Sequence, residues 1–427
     1  MTRTIVKNRA TLDTIERLFD RINAISLPGP GYTRPSYSVL ESRAHAVIAE
    51  HAAALGLTAT RDAGLNLYVR VPGRDPAATP LFVGSHLDTV PNGGAYDGVA
   101  GVVGAMALAS DLVAAGERPT GDLVVIVTRA EESVWFPVSY IGSRSALGRL
   151  APEDLGARRA DTGRTLAEHM REEGGDPEAA LSGAGLAPAR FVELHIEQGP
   201  ALEAAGEPFA VVSGVRGGVR YREASIHGAW AHSGAAPRKA RSDTVFALAD
   251  LVTAMDRAWE TIDGEDLDLS VTFGRVDAAT PEHAFAKVPG HLDFCVDLRS
   301  DDVAVLDRAD AILKREIARI ERARSLRFSL RQQSRSAPSR LSARLGGAIA
   351  EAARGLGFAP RAILSGGGHD AAAFAQAGWE ASMIFLRNAN GSHNPDEAMD
   401  VRDLVAAVQA LRAALPAIQT MPPEAAP

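Results

Sequence analysis

Among its 427 residues the chain has a single cysteine, Cys295. One thiol excludes an intrachain disulfide framework and any thiolate-rich metal site. Cys295 lies in the alternating run His291 to Arg299, where a core-facing strand position is a better explanation than a nucleophile. Apolar runs long enough to span a bilayer are missing, so no membrane partner is expected. Blocks of Lys and Arg are missing as well: with 45 basic against 53 acidic residues and a formal net charge of -8, nucleic acid is not an expected partner. Met1 to Arg9 carries Arg3, Lys7 and Arg9 without the apolar stretch that follows in a secretory signal. A reducing cytoplasm is the expected location. What is present is 46% hydrophobic content in a chain long enough for two or more domains.

The first half alternates helical and strand signals. Apolar residues at helical spacing run from Ser38 to Leu55, and Leu65 to Val71 reads as a strand. Short apolar runs at Leu81 to Val83, Leu123 to Val127 and Val192 to Ile196 each end in polar residues or glycine. Buried strands of an α/β sheet have this pattern, with chemistry at their carboxyl ends. From Phe209 the texture changes. Tyr221 to His227 alternates, Ser242 to Trp259 and Val303 to Ile320 are amphipathic helices, and Leu267 to Val276, His291 to Leu298 and Leu326 to Leu330 read as strands. This order suggests a compact α+β domain, residues 212–331, inserted into a larger discontinuous α/β domain made of 1–211 and 332–427.

Polar side chains with metal-binding chemistry cluster at the expected strand ends. His86 and Asp88 follow the run Leu81 to Val83 at alternate positions, a spacing that lets a histidine bind a metal while a carboxylate fixes its tautomer. Asp97 precedes the apolar helix Val99 to Leu112 and could cap it, or offer one oxygen to each of two cations. Glu131 and Glu132 are adjacent after the strand Leu123 to Thr128, and two such carboxylates repel unless a cation resolves the cost. One can then bind metal while the other serves as general base. His195 and His393 follow apolar strands in the same way. Together His86, Asp97, Glu132, His195 and His393 supply nitrogen and oxygen donors without sulfur, a set that suits Zn²⁺, Mn²⁺, Co²⁺ or Ni²⁺.

The motifs Gly84 to Val90, Asp97-Gly98, Glu131-Glu132, Glu193 to Gly199, Ala231-His232-Ser233-Gly234, Gly367-Gly368-His369-Asp370 and Ser392-His393-Asn394-Pro395 resemble the hydantoinase/carbamoylase branch of the M20 metallopeptidase family. The resemblance implies a mixed-sheet di-metal catalytic domain with an inserted α+β lid and dimerisation domain. It implies two divalent ions per subunit, with His86 and Glu132 on different ions, Asp97 bridging, and His195 and His393 completing the shells. By the same resemblance Glu131 is the general base, Asp88 orients His86, and His232 reaches a neighbouring subunit's site in a homodimer. Gln198, Arg299, Gly367 and Gly368 would hold a small carboxylate substrate. The implied reaction is hydrolysis of the C–N bond of an N-carbamoyl amino acid or related ureido compound.

The chain departs from these relatives at two places. Ala286 and Lys287 stand where an Asn-Val pair is usual, and Trp135-Phe136 follows Ser133-Val134 where relatives carry Gly-Ser-Arg-Phe. A bulkier, less polar pocket wall is expected, which brings in an N-acyl-amino-acid amidase or dipeptidase with an aromatic acyl group as an alternative. A non-catalytic small-molecule-binding protein is the alternative of another class.

Overall fold

The computed structural model describes residues 9–422, so Met1 to Asn8, on which the signal-sequence reading bears, lie outside the described residues. The first strands are β1 (Thr58–Arg61), β2 (Leu67–Val71), β3 (Leu81–His86), β4 (Leu123–Thr128), β5 (Arg190–Ile196) and β6 (Phe209–Val215). The chain then forms β7 (Gly217–His227), β8 (Ala231–His232), β9 (Ser270–Thr272), β10 (Val276–Asp277), β11 (Lys287–Val288), β12 (His291–Ser300), β13 (Arg327–Ser329) and β14 (Gln333–Ser336). It ends with β15 (Ser339–Arg340), β16 (Ala362–Ser365) and β17 (Glu380–Leu386). Two compact units result, one holding the chain up to Gly214 and from Arg340 on, the other Val215–Ser339. β14 belongs to the second unit because Gln333–Ser336 pairs with β7.

The first unit is built on a nine-stranded sheet of order β1-β2-β4-β3-β5-β17-β6-β15, with β16 also on β6. Strands β4, β3, β5 and β17 run parallel to their neighbours in this series, so their carboxyl ends share one edge. Every residue of β3, β4 and β5 is buried, which is why these strands read as unbroken apolar runs and not as alternations. Val192, Leu194 and Ile196 point into a core with the helices Arg9–Asn23, Val39–Ala54, Val99–Ala114 and Val401–Thr420. Phe191, on the opposite parity, stacks on Phe374 of the helix Asp370–Gln376 at 4.1 Å. Each fully buried aliphatic side chain here contributes about 1.5–3 kcal/mol. Ser38 and Asp400 cap the helices that follow them by accepting from Glu41 N and Arg402 N.

The second unit has a sheet of order β10-β12-β7-β13, with β14 on β7 and β9 on β12, and a separate ribbon of β11 and β8. The helices Thr244–Asp263 and Val303–Arg324, each capped by an aspartate, enclose its core with Leu292, Phe294, Val296 and Leu298. Burial alternates along β12, and Cys295 falls on the half-exposed parity with His291, Asp293, Asp297 and Arg299. The core-facing position expected for Cys295 is therefore corrected by one residue of register. The single strand expected over Leu267 to Val276 is two short ones, β9 and β10, interrupted around Gly274. No helix among the described residues is long and apolar enough to cross a membrane.

Candidate active site

The parallel strands deliver the chemistry to the shared edge of the first unit. His86 ends β3 and pairs in register with Thr128, the last residue of β4. Glu131 and Glu132 follow after the two residues Arg129 and Ala130, a turn in which Ala130 has φ +50°. A buried ion pair holds that turn: Arg129 Nη1 lies 2.7 Å from Glu41 Oε2, and Glu41 Oε1 accepts from Ala130 N. Asp88 then fixes both glutamates by accepting from Glu131 N at 3.1 Å and Glu132 N at 3.2 Å.

Asp97 occupies the centre. The structure does not use it as a helix cap, because Gly98 is the N-cap of Val99–Ala114 and no side chain caps it. Only glycine fits there: φ is +65°, and a Cβ would lie 2.4 Å from the His86 ring. Freed from capping, Asp97 Oδ1 faces His195 Nε2 at 3.2 Å and His86 Nε2 at 3.6 Å. Its Oδ2 faces His393 Nε2 at 3.5 Å, and His393 Nε2 is also 3.3 Å from Glu132 Oε1. Two donor groups thus share one carboxylate: His86, Asp97 and His195 on one side, Asp97, Glu132 and His393 on the other.

The tautomers suit this role. His86 Nδ1 is 3.0 Å from the Asp88 carbonyl and His195 Nδ1 2.9 Å from the Ile196 carbonyl, so both rings donate through Nδ1 and direct Nε2 toward Asp97, where it can carry a proton or bind a cation. The backbone oxygen of Asp88, not the carboxylate expected from the spacing, makes the nearer contact to His86; its Oδ1 stands at 3.4 Å. Gln198 Nε2 donates to Asp97 Oδ2 at 3.0 Å and lies 3.4 Å from His393 Nε2, an N–H placed between two donor atoms of one group.

Charge explains what the cluster demands. Asp88, Asp97, Glu131, Glu132, Glu193, Asp370 and Glu397 are all buried, and the ion pairs of the first four run to histidine rings. Burial, then Glu132, Asp370 and Asp88, pushes the Glu131 carboxyl well above its usual range against the pull of His86. Burial would raise Asp97 too, but His195, His393 and His86 hold it well below. Hydrogen bonds with Asp97 and Glu132 raise His393 to about 11. Without a cation, protons on the imidazoles must balance the carboxylates. Divalent ions would take over that task, so the donor set fits them.

Several supporting residues carry no signal that spacing alone made legible. Glu397 Oε1 accepts from Tyr96 N and Asp97 N, and its Oε2 is 2.8 Å from Ser392 Oγ, which in turn is 2.6 Å from Asp97 Oδ2. Asp370 accepts from the Thr128 and Ser143 hydroxyls. Glu193 accepts from Ser85 Oγ and Ala371 N. It sits two residues before His195 on β5, the same alternate spacing that drew attention to His86 and Asp88, so this one was findable. Glu193, His195 and His369 form a further donor group.

Other expected site residues lie elsewhere or have other work. A Cβ on Gly367 would meet Gln198 Oε1 at 2.3 Å, and one on Gly368 would meet the Tyr140 hydroxyl at 1.7 Å, so both glycines allow close approach. His232 and Arg299 belong to the second unit. His232 Nδ1 accepts from Gly234 N and Ala235 N, which leaves the proton on Nε2. Arg299 donates from Nε and Nη2 to Asp297 Oδ2. Lys287 donates to the Glu282 carbonyl and lies over Trp230. The pocket wall expected of Trp135 and Phe136 is corrected: both are buried in a cluster with Tyr37, Leu65, Leu166 and Met170, and Trp135 Nε1 donates to the Thr89 carbonyl at 2.7 Å.

Residues 82–417 match the model of peptidase family M20/M25/M40. The chain belongs to this family. Across 407 residues this M20 chain is 32% identical to the N-carbamoyl-L-amino acid amidohydrolase of Geobacillus stearothermophilus, covering 93% of this chain and 96% of that one. It is 30% identical over 382 residues to the allantoate amidohydrolase of Bacillus subtilis strain 168, covering 89% and 91%. The crystal structure of an amidase of the hydantoinase/carbamoylase family from Burkholderia multivorans superposes with a TM-score of 0.85 at 29% identity, covering 97% and 98%. The resemblance read from the strand-end motifs is borne out, as is the mixed α/β fold.

Proposed function

We propose that the protein is a metal-dependent amidohydrolase that cleaves the C–N bond of an N-carbamoyl amino acid or a related small ureido carboxylate. The observation that carries this reading is the sharing of Asp97, one oxygen to His86 and His195 and the other to the Glu132–His393 group, with Glu131 beside them. His86, Asp97 and His195 would hold one divalent ion, and Asp97, Glu132 and His393 a second, each Zn²⁺, Mn²⁺, Co²⁺ or Ni²⁺. When bound, such ions polarise a carbonyl and acidify water. Glu131, with its carboxylate 3.9 Å from His86 Nε2, takes the proton of the attacking water as the new C–O bond forms, and passes it to the leaving nitrogen as the C–N bond breaks. A ureido substrate yields an amino acid, ammonia and carbon dioxide.

Asp88 keeps Glu131 and Glu132 in register through their backbone N–H groups. Gln198, Gly367 and Gly368 position the substrate, and Arg299 meets its carboxylate as a planar, bidentate partner. His232, with its proton on Nε2, donates to the developing oxyanion in a neighbouring subunit of a cytoplasmic homodimer. With Trp135 and Phe136 held in the core, the case for an aromatic N-acyl substrate loses its pocket wall. The test is Glu131→Gln assayed on a panel of N-carbamoyl, allantoate-like and N-acyl amino acids. Turnover on ureido substrates is expected to fall by about 10²–10⁴-fold with metal content unchanged; full turnover by the variant would rule Glu131 out as the base.

A further inference from the structure

The second unit carries a histidine pair that the catalytic chemistry does not use. His227 ends β7 and His291 begins β12, directly opposite in the antiparallel register. Their Nδ1 atoms are 3.3 Å apart, with ring centroids at 4.9 Å. Each ring is also held at its other nitrogen: His227 Nε2 lies 2.9 Å from Ser225 Oγ, and His291 Nε2 lies 3.3 Å from Asp293 Oδ1. Ser225 and Asp293 each sit two residues from their histidine on the same strand, so they share its face.

The Asp293 carboxylate, which only accepts, favours a proton on Nε2 of His291 and leaves its Nδ1 as a lone pair. The Ser225 hydroxyl can accept from or donate to Nε2 of His227, and when it accepts, Nδ1 of His227 is a lone pair as well. In that tautomer two lone pairs 3.3 Å apart repel unless a cation lies between them; in the other, His227 Nδ1–H donates to His291 Nδ1. Two nitrogens bound at roughly 2.05 Å to one tetrahedral ion stand about 3.3 Å apart. We propose that His227 and His291 chelate a divalent cation of the Zn²⁺, Ni²⁺ or Cu²⁺ class at the surface of the second unit, with water completing its shell and Asp293 and Ser225 orienting the rings. The pair belongs to the second unit and the Asp97 cluster to the first. Arg327 stands opposite His227 on the other neighbouring strand and weakens it, while Asp293 offsets that charge.

The experiment is a Zn²⁺ titration followed by calorimetry and elemental analysis on the full-length protein and on His227→Ala, His291→Ala and Asp293→Asn. Wild type is expected to bind one equivalent more per chain than either alanine variant, a difference independent of how many ions the buried cluster holds. Asp293→Asn is expected to keep that equivalent with about tenfold lower affinity. Amidohydrolase turnover should be the same in all four proteins, which also reports that the variants fold. Equal uptake by wild type and the alanine variants would overturn the proposal and leave the pair sharing a proton only.

Discussion

The carboxylates gathered around Asp97 in the first unit are balanced differently from those of the second unit. In the second unit acidic side chains meet the chain's own cations: Asp250 pairs with Arg324, Asp268 with Arg216, Asp310 with Lys314 and Asp297 with Arg299. Hydrogen bonds from Arg324 hold Asp250 below its usual range, and Lys314 and Tyr221 do the same for Asp310 against its burial. In the first unit Glu131, Glu132, Glu193, Asp370 and Glu397 are shifted up, chiefly by burial. The group around Asp97 in the first unit has imidazoles, hydroxyls and backbone N–H groups as its partners, with no Arg or Lys among those hydrogen bonds. The contrast marks where charge must come from outside the chain.

Removing that external charge gives the largest effect. Chelation is expected to abolish turnover and reloading to restore it, checked by ammonia release. Because His393 holds its proton up to about pH 11 in the cation-free cluster, loading at pH 8 should release protons, and affinity should fall as pH falls and protons compete. A pH-stat reads the first and a metal titration at two pH values the second. Glu41→Ala attacks the buried Arg129–Glu41 ion pair beside the site; uncovering Arg129 in the interior should cost about 3–5 kcal/mol in chemical denaturation. Glu397→Gln leaves the metal donors in place but loosens the acceptor that holds Asp97 N and Tyr96 N, and about 10–100-fold weaker metal binding is expected. Asp250→Asn should be the smallest, under about 1 kcal/mol in thermal unfolding. Its sign follows from the depressed carboxyl: the contribution is present above the unfolded pKa and fades as pH falls through the folded one.

What could be read in the sequence follows from the same physics. Strands β3, β4 and β5 were legible because burial on both faces forces unbroken apolar runs, and their polar ends flagged His86, Glu131, Glu132 and His195. Asp97 was ambiguous because an aspartate before a helix usually caps it; the positive φ of Gly98 and the His86 ring beside it decided the matter. Trp135 misled because a large side chain near a site says nothing about which way it points, and its indole N–H found the Thr89 carbonyl in the core. Cys295 misled because a one-residue shift of parity reverses the face. Glu397 was out of reach, and Asp370 was readable as part of a motif but not in its partners: their contacts lie 300 and 242 residues away in the chain, and only the fold brings them in. The divided β9 and β10 show how a glycine within an alternating run breaks the ladder.

The account rests on Asp97 as the shared ligand of a binuclear centre. Anomalous diffraction from crystals of the Zn²⁺-loaded protein tests this most directly, because it places each ion independently of activity. Two peaks at the carboxyl edge of the β3–β4–β5–β17 sheet are expected, each beside a different oxygen of Asp97, one with His86 and His195 and one with Glu132 and His393. A single peak that avoids Asp97, or none among these side chains in protein of full metal content, would contradict it.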